Sequence, residues 1–212
     1  MKIIGQYGDI FTTTWEMFGF ETFAMNMYEE PELVGAVMER VARVVLSMFE
    51  NMVQIENVGA IWYSDDIAYT ASLMVSPDFL RENFFPRLKQ IGDYAAERDI
   101  PLIYHTDGVL WDVFDDIIAS GVKAQHPIEP KAMDIVEVKQ RVGDKLCLCG
   151  NIDVDLLSRG TPEEISALVK KRMEQLGDGG GWCLGSSNSV PDYAKIDNFI
   201  AMVKTGLEAG AQ

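Results

Sequence analysis

Both histidines of this chain sit in polar knots that close short apolar runs, and each has an acid at a chemically useful spacing. His105 and Asp107 are two residues apart. On a continuing strand they face the same side and could grip one ion or polarise one substrate oxygen. Asp65 and Asp66 are paired carboxylates that could ligate a metal or share a proton, because adjacent like charges push one pKa upward. His126 and Glu129 bracket Pro127, with Pro130 behind, a stiff elbow holding two polar heads. The last two knots are Gly150-Asn151-Ile152-Asp153 and Ser186-Ser187-Asn188-Ser189, turn-forming types that could also hold a ligand through side chains or backbone amides. The structural alternatives are a cap or solvated turn for the Asp pair and a purely structural elbow around Pro127.

The elements that must position these knots alternate. Residues 1–6 read as a strand, followed by a short amphipathic stretch over residues 14–27. A long helix starts at Pro31 and is ended by Gly59, with Leu33, Val37, Val41, Val44, Met48, Met52 and Ile55 as one buried stripe. Residues 60–63 form the next strand, and Ser76-Pro77 opens a helix that turns Phe79, Leu80, Phe84, Leu88 and Ile91 inward. Strand 102–104, helix 109–119, strand 122–125, helix 135–141 and strand 146–149 follow. Thr161 to Glu164 is a capping box launching a helix to about Leu176. The Gly179-Gly180-Gly181 run leads into strand 182–185, and a last helix covers residues 193–207. This alternation demands a parallel sheet with right-handed crossovers. Phosphate-cradling glycine fingerprints are absent after the strands, which disfavours an open doubly wound sheet. The expected fold is α/β, a partial TIM-type (β/α)8 barrel with about six β/α units in one incomplete domain over residues 1–212. In such a barrel the loops after the strands share one rim, where the knots converge.

The chain has 212 residues, 48% of them hydrophobic, enough for a substantial core. Its net charge of -15 repels phosphate backbones and anionic lipids, so no nucleic acid and no membrane partner is expected. No apolar stretch approaches the roughly 20 residues of a spanning helix, and the amino terminus lacks a signal-peptide layout; a cytoplasmic location is the expectation. Cys147, Cys149 and Cys183 lie in apolar runs and read as reduced core thiols.

The ordered series His105-Thr106-Asp107-Gly108, residues 117–122, Pro127-Ile128-Glu129-Pro130, Asp134, Gly150-Asn151-Ile152-Asp153 and Gly180-Gly181-Trp182 resembles the uroporphyrinogen decarboxylase superfamily, which includes corrinoid-dependent methyltransferases. The resemblance runs from Gly5 to the Pro191 loop. It implies a (β/α)8 barrel of which this chain looks like the carboxyl-terminal two thirds.

The resemblance implies an enzyme; the knots themselves offer His105, Asp107, Asp65, Asp66 and Glu129 as catalytic candidates and Asn151 and Asn188 as cofactor-binding ones. In the methyltransferase branch a His-x-Cys pair and a distant Cys bind zinc. Here His105 matches the histidine, Asp107 takes the first cysteine's place and Asn188 falls near the second. Zinc or another, harder divalent metal on His105 and Asp107 is one reading, while the oxygen ligands weaken the case for thiol activation and leave a hydrolytic or O-demethylating variant or a metal-free site open. In the decarboxylases the last strand's loop carries histidine where Asn188 stands, a serine falls where Asp66 stands, and an early tyrosine falls nearest Trp15. No Arg or Lys lies within the knots to hold a polycarboxylate. The reading is therefore methyl transfer between a corrinoid carried by a partner protein and a small-molecule substrate. The alternatives are decarboxylation of a tetrapyrrole in porphyrin biosynthesis, or a truncated non-catalytic remnant. A homodimer covering the open barrel seam is expected, because unpaired sheet edges seek a partner.

Overall fold

The computed structural model of the chain describes residues 1–210. Among these, six strands form one parallel sheet in sequence order: β1 (Ile3–Gly8), β2 (Val58–Ser64), β3 (Leu102–His105), β4 (Val122–His126), β5 (Cys147–Cys149) and β6 (Trp182–Cys183). Helices α1 (Ile10–Phe18), α2 (Phe20–Glu29) and α3 (Pro31–Met52) connect the first two strands. After β2, α4 (Pro77–Phe79) passes through a π-helical turn at Leu80–Phe84 into α5 (Phe85–Ala96). Then follow α6 (Phe114–Ala119), α7 (Ile135–Val142), α8 (Val154–Arg159), α9 (Pro162–Leu176) and α10 (Ile196–Gly210). Parallel neighbours need crossovers, and the helices supply them. The fold is α/β, a TIM-type barrel in part, with β1 and β6 as its edges.

Local chemistry explains the element ends. Ser76 accepts a bond from the Phe79 amide at 3.2 Å. The Thr161 hydroxyl accepts from the Glu164 amide at 3.3 Å while the Glu164 carboxylate accepts from the Thr161 amide at 2.9 Å, closing the capping box. Other boundaries differ from the sequence expectation. The stretch around residues 14–27 is two helices, divided at Gly19, whose φ of 77° leaves the helical region. Helix α3 stops at Met52, and residues 53–57 turn the chain into β2. Its buried row is Val34, Met38, Ala42, Val45 and Phe49, whereas Leu33, Val44, Met48 and Ile55 are exposed. The helix carries two adjacent apolar rows, so periodicity finds a stripe without deciding which one meets the core. Helix α6 starts only at Phe114, and α8, capped by Asp153 accepting from the Asp155 amide at 2.8 Å, was not foreseen.

Alternation along the strands sorts side chains between two faces. Tyr63 and Tyr104 point toward the helices, their rings 5.5 Å apart and both against Phe84. Trp62, His105 and His126 point to the other face, their rings packed together. The main core lies between sheet and helices, and a smaller cluster of Ile152, Leu157, Ile165, Val169 and Met202 lies under α8 to α10. The cysteines are free thiols, but they are not core residues: Cys147 and Cys149 are half-buried and Cys183 is exposed. The apolar partner in that run is Leu148, fully buried on the helix side, so its neighbours face the opposite way. No helix among the described residues is long and apolar enough to cross a membrane.

Candidate functional site

A cavity of about 700 Å³ opens at the carboxyl ends of the strands. The loop after β2 supplies Asp66, Tyr69 and Thr70, that after β3 Asp107, and that after β4 Glu129 and Lys131. Asp153 and Asp155 follow β5, Ser187 and Asn188 follow β6, and Thr12 and Trp15 of α1 close one side. Parallel strands all end at one rim, so loops far apart in sequence share this wall.

The centre is acidic. The Asp66 carboxylate accepts from the Asp107 amide at 3.0 Å, and one ligand atom each from Asp66, His105 and Asp107 lie within 4.8 Å of one another. The Asn188 side-chain amide donates to Asp107 Oδ2 at 2.6 Å, while Asp107 Oδ1 is buried without a partner. Burial, then the charges of Asp66 and Glu129, push the Asp107 carboxyl up to about 7 against the bond from Asn188. Glu129 ties the rim together, accepting from the Thr70 hydroxyl at 3.0 Å and from the Gly108 amide at 3.1 Å. Gly108 has φ of 86°, and a Cβ there would lie 2.4 Å from the Tyr69 carbonyl oxygen, so a side chain at this position would separate the two loops.

His105 lies behind the two aspartates. It stands in register with His126 on β4, with the two Nδ1 atoms 2.8 Å apart and the rings stacked at 4.9 Å. One nitrogen must donate and the other accept, so at least one imidazole carries its proton on Nδ1. Burial lowers the pKa of His105 against the pull of Asp66; burial and then His105 lower that of His126 to about 4. When His105 is the donor of the pair, the lone pair of its Nε2 is free for a ligand. Two oxygens and one imidazole nitrogen, an orphaned carboxylate oxygen and a crowded negative charge fit a divalent cation of the harder kind.

Two expected site residues stand elsewhere. Asp65 is buried at the start of α1, where its carboxylate accepts from the amides of Phe11 at 2.6 Å and Thr12 at 2.9 Å and from the Tyr63 hydroxyl. It caps α1 beneath the cavity rather than lining it, because the chain direction after β2 turns successive side chains opposite ways. Asn151 is 2% exposed, off the cavity wall, with both side-chain amide atoms unpartnered. Asp66, Asp107, Glu129 and Asn188 do come together, with His105 against them. Sequence reasoning missed the role of His126 as partner of His105; the signal was present, since both histidines close apolar runs on neighbouring strands. It also missed Lys131, next to the Glu129 knot, and the aromatic wall of Tyr69 and Tyr193.

A family model described as "Uroporphyrinogen decarboxylase (URO-D)" matches residues 1–208. The uroporphyrinogen decarboxylase of Coxiella burnetii (strain RSA 493 / Nine Mile phase I) is 24% identical over 190 residues, covering 87% of this chain and 50% of that protein. That of Alcanivorax borkumensis is 26% identical over 187 residues, covering 84% and 50% respectively. This chain therefore spans about half the length of these curated relatives. Among solved structures, a methyltransferase from Methanosarcina mazei has the same fold, with a TM-score of 0.82 at 18% identity over 98% of this chain and 59% of that one.

Proposed function

This chain belongs to the uroporphyrinogen decarboxylase family, and on that premise we propose that it works in methyl transfer between a corrinoid carried by a partner protein and a small substrate, in the cytoplasm. The observation that carries the reading is the charge of the cavity. Asp66, Asp107, Glu129, Asp153 and Asp155 line it, and its one lysine among the described residues, Lys131, is ion-paired with Asp155. A substrate bearing several carboxylates would bring like charges into a half-buried space with no free cation to meet them. A neutral or cationic methylated compound meets no such barrier.

Asp66, His105 and Asp107 would hold a divalent cation, which would polarise the substrate heteroatom that gives up or takes on the methyl group. His126 would accept at Nδ1 from the Nδ1–H of His105, leaving the His105 Nε2 lone pair for the cation. In the metal-free site the Asp107 carboxyl, pushed up to about 7, can hold a proton that cation binding would release. Asn188 orients that carboxyl, and Glu129 holds the Gly108 turn against the loop after β2. Trp15 and Tyr69 form the apolar part of the wall.

The test is turnover of methylcobalamin with thiol and amine acceptors by the unmodified chain, followed by absorbance. Loss of methyl transfer in His105→Ala, with thermal unfolding nearly unchanged, is the expected result. Conversion of uroporphyrinogen to coproporphyrinogen by the same preparation would overturn the reading in favour of tetrapyrrole decarboxylation.

A further inference from the structure

The sheet face that carries the two histidines also carries every cysteine of the chain. On β5, Leu148 turns toward the helices, so Cys147 and Cys149 share the opposite face; on β6, Cys183 stands in register with Cys149. One sulfur from each lies within 4.8 Å of the others, and the Sγ atoms of Cys147 and Cys183 are 3.7 Å apart. A disulfide needs about 2.05 Å between sulfurs. Two thiolates on one tetrahedral zinc, each at about 2.3 Å from the metal, stand about 3.8 Å apart. The 3.7 Å spacing matches the edge of such a tetrahedron.

We propose that Cys147, Cys149 and Cys183 form a second metal site, on the β5–β6 face, that takes a thiolate-preferring divalent cation of the zinc class. Its donors are sulfur, whereas those of the acidic centre are oxygen and nitrogen, and the two share no residue, so their metal preferences differ. With Cys183 exposed and the other two half-buried, three protein ligands leave a fourth position open to water or a small thiol.

The site is tested on the full chain, reduced, stripped with chelator and titrated anaerobically with cadmium. The expected result is a thiolate-to-cadmium charge-transfer band that saturates at one equivalent and persists in the Asp66→Asn, Asp107→Asn double variant. The Cys147→Ser and Cys183→Ser variants should each weaken apparent affinity by about tenfold or more. As a measurement that needs no variant, one equivalent of zinc should sharply slow alkylation of all three thiols. Absence of the band at one equivalent, or thiols alkylated equally fast with and without zinc, overturns the proposal.

Discussion

His105 and His126 face one another across neighbouring parallel strands with their Nδ1 atoms 2.8 Å apart. For the proposed cation the pair would be a positioning unit: when His105 donates through Nδ1, its Nε2 lone pair is left free for a ligand. Replacing His126 with Ala should therefore weaken cobalt or zinc binding at the acidic centre by about 10- to 100-fold. His126→Gln, which keeps an acceptor, should recover part of the loss. Calorimetric titration of both variants in a Cys147→Ser, Cys183→Ser background reads this effect, and equal affinities would contradict it.

At the proposed cation site, Asp107 would couple binding to pH. Its carboxyl is raised to about 7 by burial and by Asp66 and Glu129. A bound cation requires the carboxylate, so affinity at the acidic centre should rise through about pH 7, level off above it and fall on acidification. In Asp107→Asn the part of the slope owed to this proton should vanish. Dissociation constants measured across the range decide the matter.

The same raised carboxyls predict an unusual stability profile. Asp65 and Asp107 both titrate near 7 in the fold, above the ordinary value of 3.8. Between these values the folded state keeps protons that the unfolded chain has released, so stability should fall as pH rises from about 4 to about 7. Metal-free protein should melt at a higher temperature at mildly acidic pH than at neutral pH. Thermal unfolding by circular dichroism at several pH values checks the direction.

Asp65 acts on the fold rather than on ligands. Substituting it with Ala leaves the amides of Phe11 and Thr12 and the Tyr63 hydroxyl without their acceptor. Unfolding free energy should drop by about 1–3 kcal/mol, while cation affinity at Asp66, His105 and Asp107 stays near that of the unmodified chain. A large loss of affinity with unchanged stability would reverse this assignment.

Self-association is the proposed way in which exposed apolar surface is covered. Ile196, Phe199, Ile200, Val203 and Leu207 form an exposed row on α10, and Ile3 and Ile4 are exposed on the edge strand β1. Light scattering should give a mass above one chain, and Ile200→Glu with Val203→Glu should lower it. A monomer at all concentrations would refute the homodimer.

The alternation of apolar runs and amphipathic segments was sufficient to read six parallel strands with helical crossovers, because period and breaker residues are local properties. It was also sufficient to place Asp66, Asp107, Glu129 and Asn188 at strand ends, which a parallel sheet gathers at one rim. The buried row of α3 was not legible: Leu33, Val44 and Met48 are as apolar as Val34, Val45 and Phe49, and only contact with sheet and neighbouring helices distinguishes them.

What residue types and spacing settled is the kind of fold and the chemistry within reach of its rim: imidazole and carboxylate at the ends of short strands. Strand register and the twist of the connecting loops settled the rest. Adjacent Asp65 and Asp66 parted, one becoming a helix cap and the other a cavity wall, because consecutive side chains leave the backbone in opposite directions. His105 met His126, and Cys149 met Cys183, because hydrogen-bonded neighbours in a sheet bring together positions that the chain itself holds far apart.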